Sequence, residues 1–432
     1  MMRYMLCAAA LAAAVAERAW SADTAEQRLR DVEQRLDRLE NAPVPTASPP
    51  PNPTMSPTAF NPAISLILSG IYTNLSQDPA DFHITGFPVP EGVEIGPGSR
   101  GFSLAESELA ISANIDPDFY GMLTFSIHPD DTVSSEEAFI QTISLSHGFT
   151  VKGGRFFSGI GYLNAQHAHT WDFVDAPLAY QAFLGTQFGD DGVQLRWLAP
   201  TDLFIELGAE LGRGRPFPGT DRNRNGAGSG TVFGHVGGDV GVSHSWRAGL
   251  SLLSTSPQDR VFPDTDIGGN PVTNSFSGDT RIWIADLVWK YAPNGDPTRT
   301  NFKLQAEYLH RHENGELTFD VDPGGAVTTA PFDSKQSGWY LQGVYQFMPY
   351  WRVGLRTEQL NHGRVDFSTN SANLAQPDFN PSKNTVMVDY NPSEFSRIRL
   401  QYARDDSRQG ATDNQWWLQY QMSLGAHGAH QF

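Results

Sequence analysis

The chain has 432 residues, 18% of them charged and 11% aromatic, with 41 glycines, one cysteine and a formal charge of −18. No apolar run of roughly 18 residues occurs, which excludes a transmembrane helix, and an acidic chain without a basic cluster is excluded as a nucleic-acid binder. The single cysteine, Cys7, lies at the extreme N-terminus and leaves the rest of the chain without a disulfide or a cysteine-based metal site.

Residues 1–22 open with "MMRYMLCAAALAAAVAERAW", a basic Arg3 followed by an apolar run and small residues. That pattern predicts a secretory signal peptide, cleaved after Ala16 or Ser21. Residues 23–42 predict a periplasmic coiled-coil helix: Leu29, Val32, Leu36 and Leu39 step by three, four and three, an a/d seam. Two heptads are short for a lone helix, so the seam points to an assembly that is already oligomeric. Residues 43–60, with "PVPTASPPPNPTMSP", read as an extended Pro-rich linker.

From residue 61 to 432 the dominant period is two. In "QWWLQYQMSLG", Trp416, Leu418, Tyr420, Met422 and Leu424 share one face, and Trp417, Gln419, Gln421 and Ser423 the other. "NFKLQAEYLH" and "DLFIELGAELG" repeat the pattern. One face suits hydrocarbon and the other water. The runs are long enough to cross a bilayer when tilted. Short turns alternate with long connections at about 76–101, 128–136, 158–188, 213–230, 256–278, 314–334 and 363–382. The expectation is an all-β fold: a transmembrane antiparallel β-barrel of about sixteen strands, behind a short coiled-coil helix. Its setting is outer-membrane lipid. Phe432, on the parity of the lipid-facing residues of the last strand, reads as an assembly signal for the barrel-assembly machinery.

Turning the apolar face outward predicts the lumen lining. Glu106, Glu108, Glu206 and Glu210 point in from the early strands, and Arg352, Arg356, Arg397 and Arg399 from the late ones. Acid on one arc and arginine on another either sets a transverse field that orients solutes or pairs across the wall. The connection 158–188 carries "LNAQHAHTWDFVDAP". His167, His169, Asp172 and Asp175 are candidate ligands for Zn²⁺ or a similar ion, since imidazole with carboxylate suits that chemistry. In an extended segment His167 and His169 would share a face. The competing reading is structural: imidazoles bonded to the wall and aspartates capping turns. No nucleophile elbow, Walker loop or HExxH motif is present, so an enzyme is not expected and no cofactor is called for apart from zinc as solute or ligand.

The architecture resembles trimeric porins of the phosphate-selective type, which implies a homotrimer and a third loop folded into the barrel. "LNAQHAHTWDFVDAPL", "DDGVQLRWLAPTDLFIELGAELGRG", "GGDVGVSHSWRAGLS" and "LGAHGAHQF" resemble Gram-negative outer-membrane proteins labelled zinc-regulated or TonB-dependent receptors. The TonB label implies a folded plug ahead of a larger barrel. Here only the 23–42 helix and the 43–60 linker occupy that place. The expected function is passive diffusion of small hydrophilic solutes or ions through a porin-like channel in the cell outer membrane. The alternative is a zinc-binding receptor or uptake barrel.

Overall fold

Strict alternation along each run gives strands with a lipid face and a lumen face, and such strands are stable in a bilayer only when the sheet closes and leaves no edge. The computed structural model describes residues 62–223 and 225–425. The signal peptide, the coiled-coil helix, the linker and Phe432 lie outside the described residues.

The strands are β1 (Ala63–Leu75), β2 (Gly101–Leu104 and Ser107–Asn114), β3 (Phe119–Ile127), β4 (Val133–Thr142) and β5 (Phe149–Phe157). Next come β6 (Gly189–Leu198), β7 (Phe204–Gly212), β8 (Ser229–Val240), β9 (His244–Thr255 and Arg260–Thr265) and β10 (Pro271–Tyr291). The last six are β11 (Asn301–Phe319), β12 (Thr328–Met348), β13 (Trp351–Asp366), β14 (Ser382–Ser393), β15 (Ser396–Arg408) and β16 (Ala411–Gly425). Two strands are interrupted, so eighteen sheet segments make sixteen strands. Each strand pairs with the next, and β1 pairs with β16 from Ser65↔Gly425 to Leu75↔Gln415, which closes the wall. The expected count and topology are therefore observed.

The wall has uneven height. Strands β3 to β7 run 9 or 10 residues, enough to cross a tilted bilayer. Strands β10 and β12 run 21 residues, about 70 Å at the usual strand rise, so this arc stands well above the membrane. The connection expected at 314–334 shrinks to 320–327 because β11 and β12 continue their pairing to Phe319↔Thr328. Above the bilayer the outer face is polar (Asn314 and Glu316 are exposed), so the hydrocarbon pattern that marked the strand stops before the strand does.

The outer face is apolar: Trp416, Leu418, Tyr420 and Leu424 are exposed, while Gln415, Trp417 and Gln419 between them are buried. The lumen face departs from the expected all-polar lining. Leu253, Ile282, Ile284, Leu309 and Leu360 point inward and form a core with the helix α1 (Leu178–Leu184) and with Ile84 and Phe87. Two loops thus fill part of the barrel: the connection 158–188 (L3) and, unexpectedly from sequence, the connection 76–100 (L1).

Candidate functional site: a loop across the lumen

L3 leaves β5 and returns to β6, and its stems are tied together by Asn164. The Asn164 side-chain amide donates to the carbonyls of Ser158 (2.9 Å) and Phe188 (2.8 Å) and accepts from the Phe188 N–H (2.8 Å). Between the stems the loop is fastened to the wall in sequence. Glu210 of β7 accepts from the Ser158 hydroxyl (2.5 Å) and the Gly159 N–H (2.9 Å). Glu307 of β11 accepts from the N–H groups of Tyr162 (3.2 Å) and Leu163 (3.0 Å) and from the hydroxyls of Tyr180 (2.8 Å) and Tyr340 (2.6 Å). Gly161 has φ 64°, and a Cβ there would lie 2.4 Å from a Glu307 oxygen, so only glycine lets the backbone come this close. Glu358 of β13 accepts from the Leu178 N–H at the start of α1 (2.6 Å), which satisfies one of the unpaired donors of a helix N-terminus.

The segment 167–175 crosses between oppositely charged arcs. Its histidines meet the acid arc. His167 Nδ1 lies 3.1 Å from Glu108 and 3.1 Å from Glu136, and its Nε2 lies 3.0 Å from Glu137. His169 Nδ1 lies 2.6 Å from Glu108. The two rings stack with centroids 5.7 Å apart. A short 3₁₀ turn over Ala168–Thr170, not an extended segment, brings them together.

Two β-bulges aim the carboxylates. On β4, Thr124 of β3 faces Glu137 while Phe125 faces Ser135, so Glu136 is an extra residue. Consecutive Glu136 and Glu137 can then both reach into the lumen, which regular alternation forbids. On β2, four steps from Leu104 to Glu108 face three steps from Gly70 to Ile67 of β1, and Glu106 sits in that irregularity. Glu106 accepts from the Ser126 hydroxyl (3.2 Å).

The aspartates of L3 go the other way. Asp172 pairs with Lys303 and with Arg352 (3.3 Å). Asp175 pairs with Arg356 (2.8 Å) and Lys383 (2.6 Å) and accepts from Gln401 (2.8 Å). Arg397 donates to the His169 carbonyl (2.6 Å) and Arg399 to the Trp171 carbonyl (2.9 Å). The expected grouping of Asp172 and Asp175 with the histidines is therefore corrected. The cationic arc attracts both carboxylates, and the ligand neighbours of His167 and His169 come from the wall instead. Nor do these aspartates cap turns. Sequence spacing could not reveal Glu136 and Glu137, because strict alternation points only one of two neighbours inward.

Burial works against charge on Asp172 and Asp175, but the flanking cations outweigh it and hold both carboxyls well below their usual range. Burial likewise opposes protonation of His167, but its bonds to Glu108, Glu136 and Glu137 prevail and hold its pKa well above the ordinary 6.5.

The predicted lining residues all face the lumen, and most are engaged. Glu206 bonds His235 (3.2 Å), Glu210 holds the L3 stem, and Arg352 and Arg399 share Asp389. L1 lies over L3: Phe87 packs edge-on to Phe183, and Gln181 accepts from the Gly96 N–H (2.9 Å). A cavity of about 780 Å³ opens on the outer side, bounded by L1 and the tops of the tall strands, with Phe262, Phe332 and Phe367 in its lining. A second, of about 430 Å³, opens at the periplasmic end beside His169, Arg352 and Arg397.

No family model matches the chain. An uncharacterised protein of Aquifex aeolicus (strain VF5) is 31% identical over 408 residues, which covers 87% of this chain and 81% of that one. Among solved structures, OmpT of Vibrio cholerae, an outer membrane protein, superposes with a TM-score of 0.51 at 10% identity, over 86% of this chain and 99% of that one. The anion-selective porin of Comamonas acidovorans gives 0.51 at 12% identity, over 84% and 99%. At such identities the likeness is one of fold. The chain belongs to the family of the Aquifex aeolicus protein, and it is an outer-membrane β-barrel with the porin fold.

Proposed function

We propose that the protein is a passive diffusion channel for small hydrophilic solutes or ions, with L3 as its constriction. The observation that carries this reading is the course of residues 167–175. They run from the carboxylates of β2 and β4 to the cations of β11, β13, β14 and β15, with a water-accessible cavity toward each end of the barrel. A solute moving between those cavities passes beside this segment. The packing of α1 and L1 in the lumen restricts passage to small species. In this reading the barrel is a homotrimer in outer-membrane lipid, delivered by the barrel-assembly machinery through a terminal signal that includes Phe432.

The test is planar-bilayer recording of protein whose folding is verified by a heat-modifiable gel shift. Stepwise currents that grow when L3 is loosened support the channel. Folded protein that never yields a step overturns it. The rival reading is a metal-binding receptor or uptake barrel, favoured by the stacked imidazoles against Glu108. Metal-dependent change of current separates the two.

A further inference from the structure

We infer that His167 and His169 of L3, with Glu108 and Glu136 of the wall, form a binding site for one borderline divalent cation such as Zn²⁺, and that the ion staples L3 to the acid arc. The inference rests on the channel reading only for its effect on current.

The donor atoms converge. One ligand atom each from Glu108, His167 and His169 lies within 4.8 Å of the others, and so do those of Glu106, Glu108 and Glu136. His167 Nδ1 is 3.1 Å from both Glu108 and Glu136, and His169 Nδ1 is 2.6 Å from Glu108. Zinc bonds of about 2.0–2.1 Å in a tetrahedron place neighbouring donors about 3.3 Å apart. Inserting the ion therefore asks these three contacts, two of them made by different oxygens of Glu108, to open by less than an ångström.

The ring of His167 is also oriented for ligation. Its Nε2 faces Glu137 at 3.0 Å. An Nε2–H donated to that carboxylate selects the tautomer whose Nδ1 lone pair is free for a metal, and it raises the basicity of that nitrogen. Phe157 packs edge-on against the same ring at 5.3 Å. Glu137 is thus a positioning residue rather than a ligand.

Charge gives the second argument. Four carboxylates, Glu106, Glu108, Glu136 and Glu137, surround two imidazoles, so the cluster is anionic even with both rings protonated. Glu108, Glu136, Glu137, His167 and His169 have side chains only 3–16% exposed. On neighbouring β5 the Lys152 ammonium rests on the Phe139 ring at 4.1 Å. Buried charge of one sign is costly unless matched, and one divalent cation on neutral imidazoles carries the same +2 as two ring protons, so it keeps these carboxylates matched when the rings are deprotonated. Two nitrogen and two oxygen donors without sulfur suit zinc better than calcium, which takes six to eight oxygens.

The experiment uses the mature protein folded in detergent and stripped with a chelator. Zn²⁺ is titrated against a competing chelator dye, and Co²⁺ is added separately to read coordination from its visible spectrum. The expected result is one Zn²⁺ per chain, undisturbed by excess Ca²⁺, with affinity lowered at least about 100-fold in His167→Gln/His169→Gln and about 10- to 100-fold in Glu137→Gln. Gel mobility checks that each variant folds. If the double variant does not fold, Glu137→Gln and the nitrogen-ligated Co²⁺ spectrum of the unaltered protein decide. No binding to the unaltered protein, or binding equally tight in the folded variants, overturns the site. Zinc block of single-channel current tests the staple. Currents indifferent to bound zinc overturn the staple, whereas the absence of any current counts against the channel reading and leaves the site standing.

Discussion

Arg356 of β13 holds Asp175 of L3 twice, donating to its carboxylate (2.8 Å) and to its backbone carbonyl (2.8 Å). Lys383 reaches the same carboxylate (2.6 Å). Asp175→Ala leaves both cations buried, but Glu358 remains 3.0 Å from Arg356 and Asp405 3.4 Å from Lys383. The cost therefore falls toward the low end of the range for breaking a buried pair, about 3 kcal/mol. The expected outcome is a lower unfolding midpoint and larger, noisier current steps as L3 loosens. Unchanged values of both would refute the anchoring role.

Glu307 accepts four hydrogen bonds, two from L3 backbone, one from Tyr180 and one from Tyr340. A carboxylate meets four donors because it carries only acceptors. Glu307→Gln keeps the shape but turns one oxygen into an NH₂ facing donors. It should destabilise the barrel by about 1–3 kcal/mol, more than Tyr180→Phe at about 1 kcal/mol. Denaturation of the two variants in the same detergent checks the order.

The barrel was legible because lipid imposes a period of two with a hydrocarbon face. Trp416, Leu418 and Tyr420 announce it without any tertiary information. The acid and arginine arcs followed from parity alone, which places Glu108, Glu210, Arg356 and Arg399 inward. What parity could not give was the filling of the lumen. The apolar "LAYQAFL" of α1 was the available signal, since a water-exposed loop has no use for seven residues that are all buried. Leu253, Ile284 and Leu309 on the lumen face were its counterpart on the wall. The choice of partners for the L3 residues was beyond sequence for a different reason. His167 and Asp175 lie eight positions apart, yet each takes the charge it needs from an opposite side of the barrel.

That division gives opposite pH responses in metal-free protein. The raised pKa of His167 means that its contribution is fully present below the ordinary 6.5 and is lost as pH rises through the folded value. The depressed pKa values of Asp172 and Asp175 mean that theirs is fully present above the ordinary 3.8 and is lost as pH falls through the folded values. Conductance should stay low between those limits and rise on both sides. His167→Gln should abolish the alkaline rise and spare the acid one. A single monotonic profile would contradict the two-sided attachment.

The proposed homotrimer offers a test for the segment ahead of the barrel. The sequence seam of Leu29, Val32, Leu36 and Leu39 is expected to add to the proposed homotrimer only where the barrels themselves associate, since two heptads alone are marginal. In the proposed homotrimer, Leu36→Asp should weaken the assembly without abolishing it, because barrel-to-barrel contacts would carry the rest of the interface. Mass measurement in mild detergent checks this, and a monomer for both proteins removes the trimer.

Selectivity is the last consequence of where the charge lies. Of the formal −18, the first 22 residues carry +1 (Arg3 and Arg18 against Glu17) and residues 23–57 carry −2, so −17 belongs to the barrel segment. The arginines at L3 do not offset this as free anion sites. Arg352 pairs with Asp172 and Asp389, Arg356 with Asp175 and Glu358, and Arg399 with Asp389, while Arg397 is turned to loop carbonyls. The field of the remaining acids should favour cations at low ionic strength, where it reaches about 30 Å at 0.01 M salt. It should fade toward 1 M, where the reach is about 3 Å. Reversal potentials across a salt gradient should therefore give cation preference that shrinks with concentration. Neutralising Asp172 should move the preference toward anions, because it releases Lys303 into the constriction while Arg352 keeps Asp389. Anion preference in the unaltered channel at low salt would mean that the arginine arc faces the solute after all, and that its pairing with L3 is broken in the conducting state.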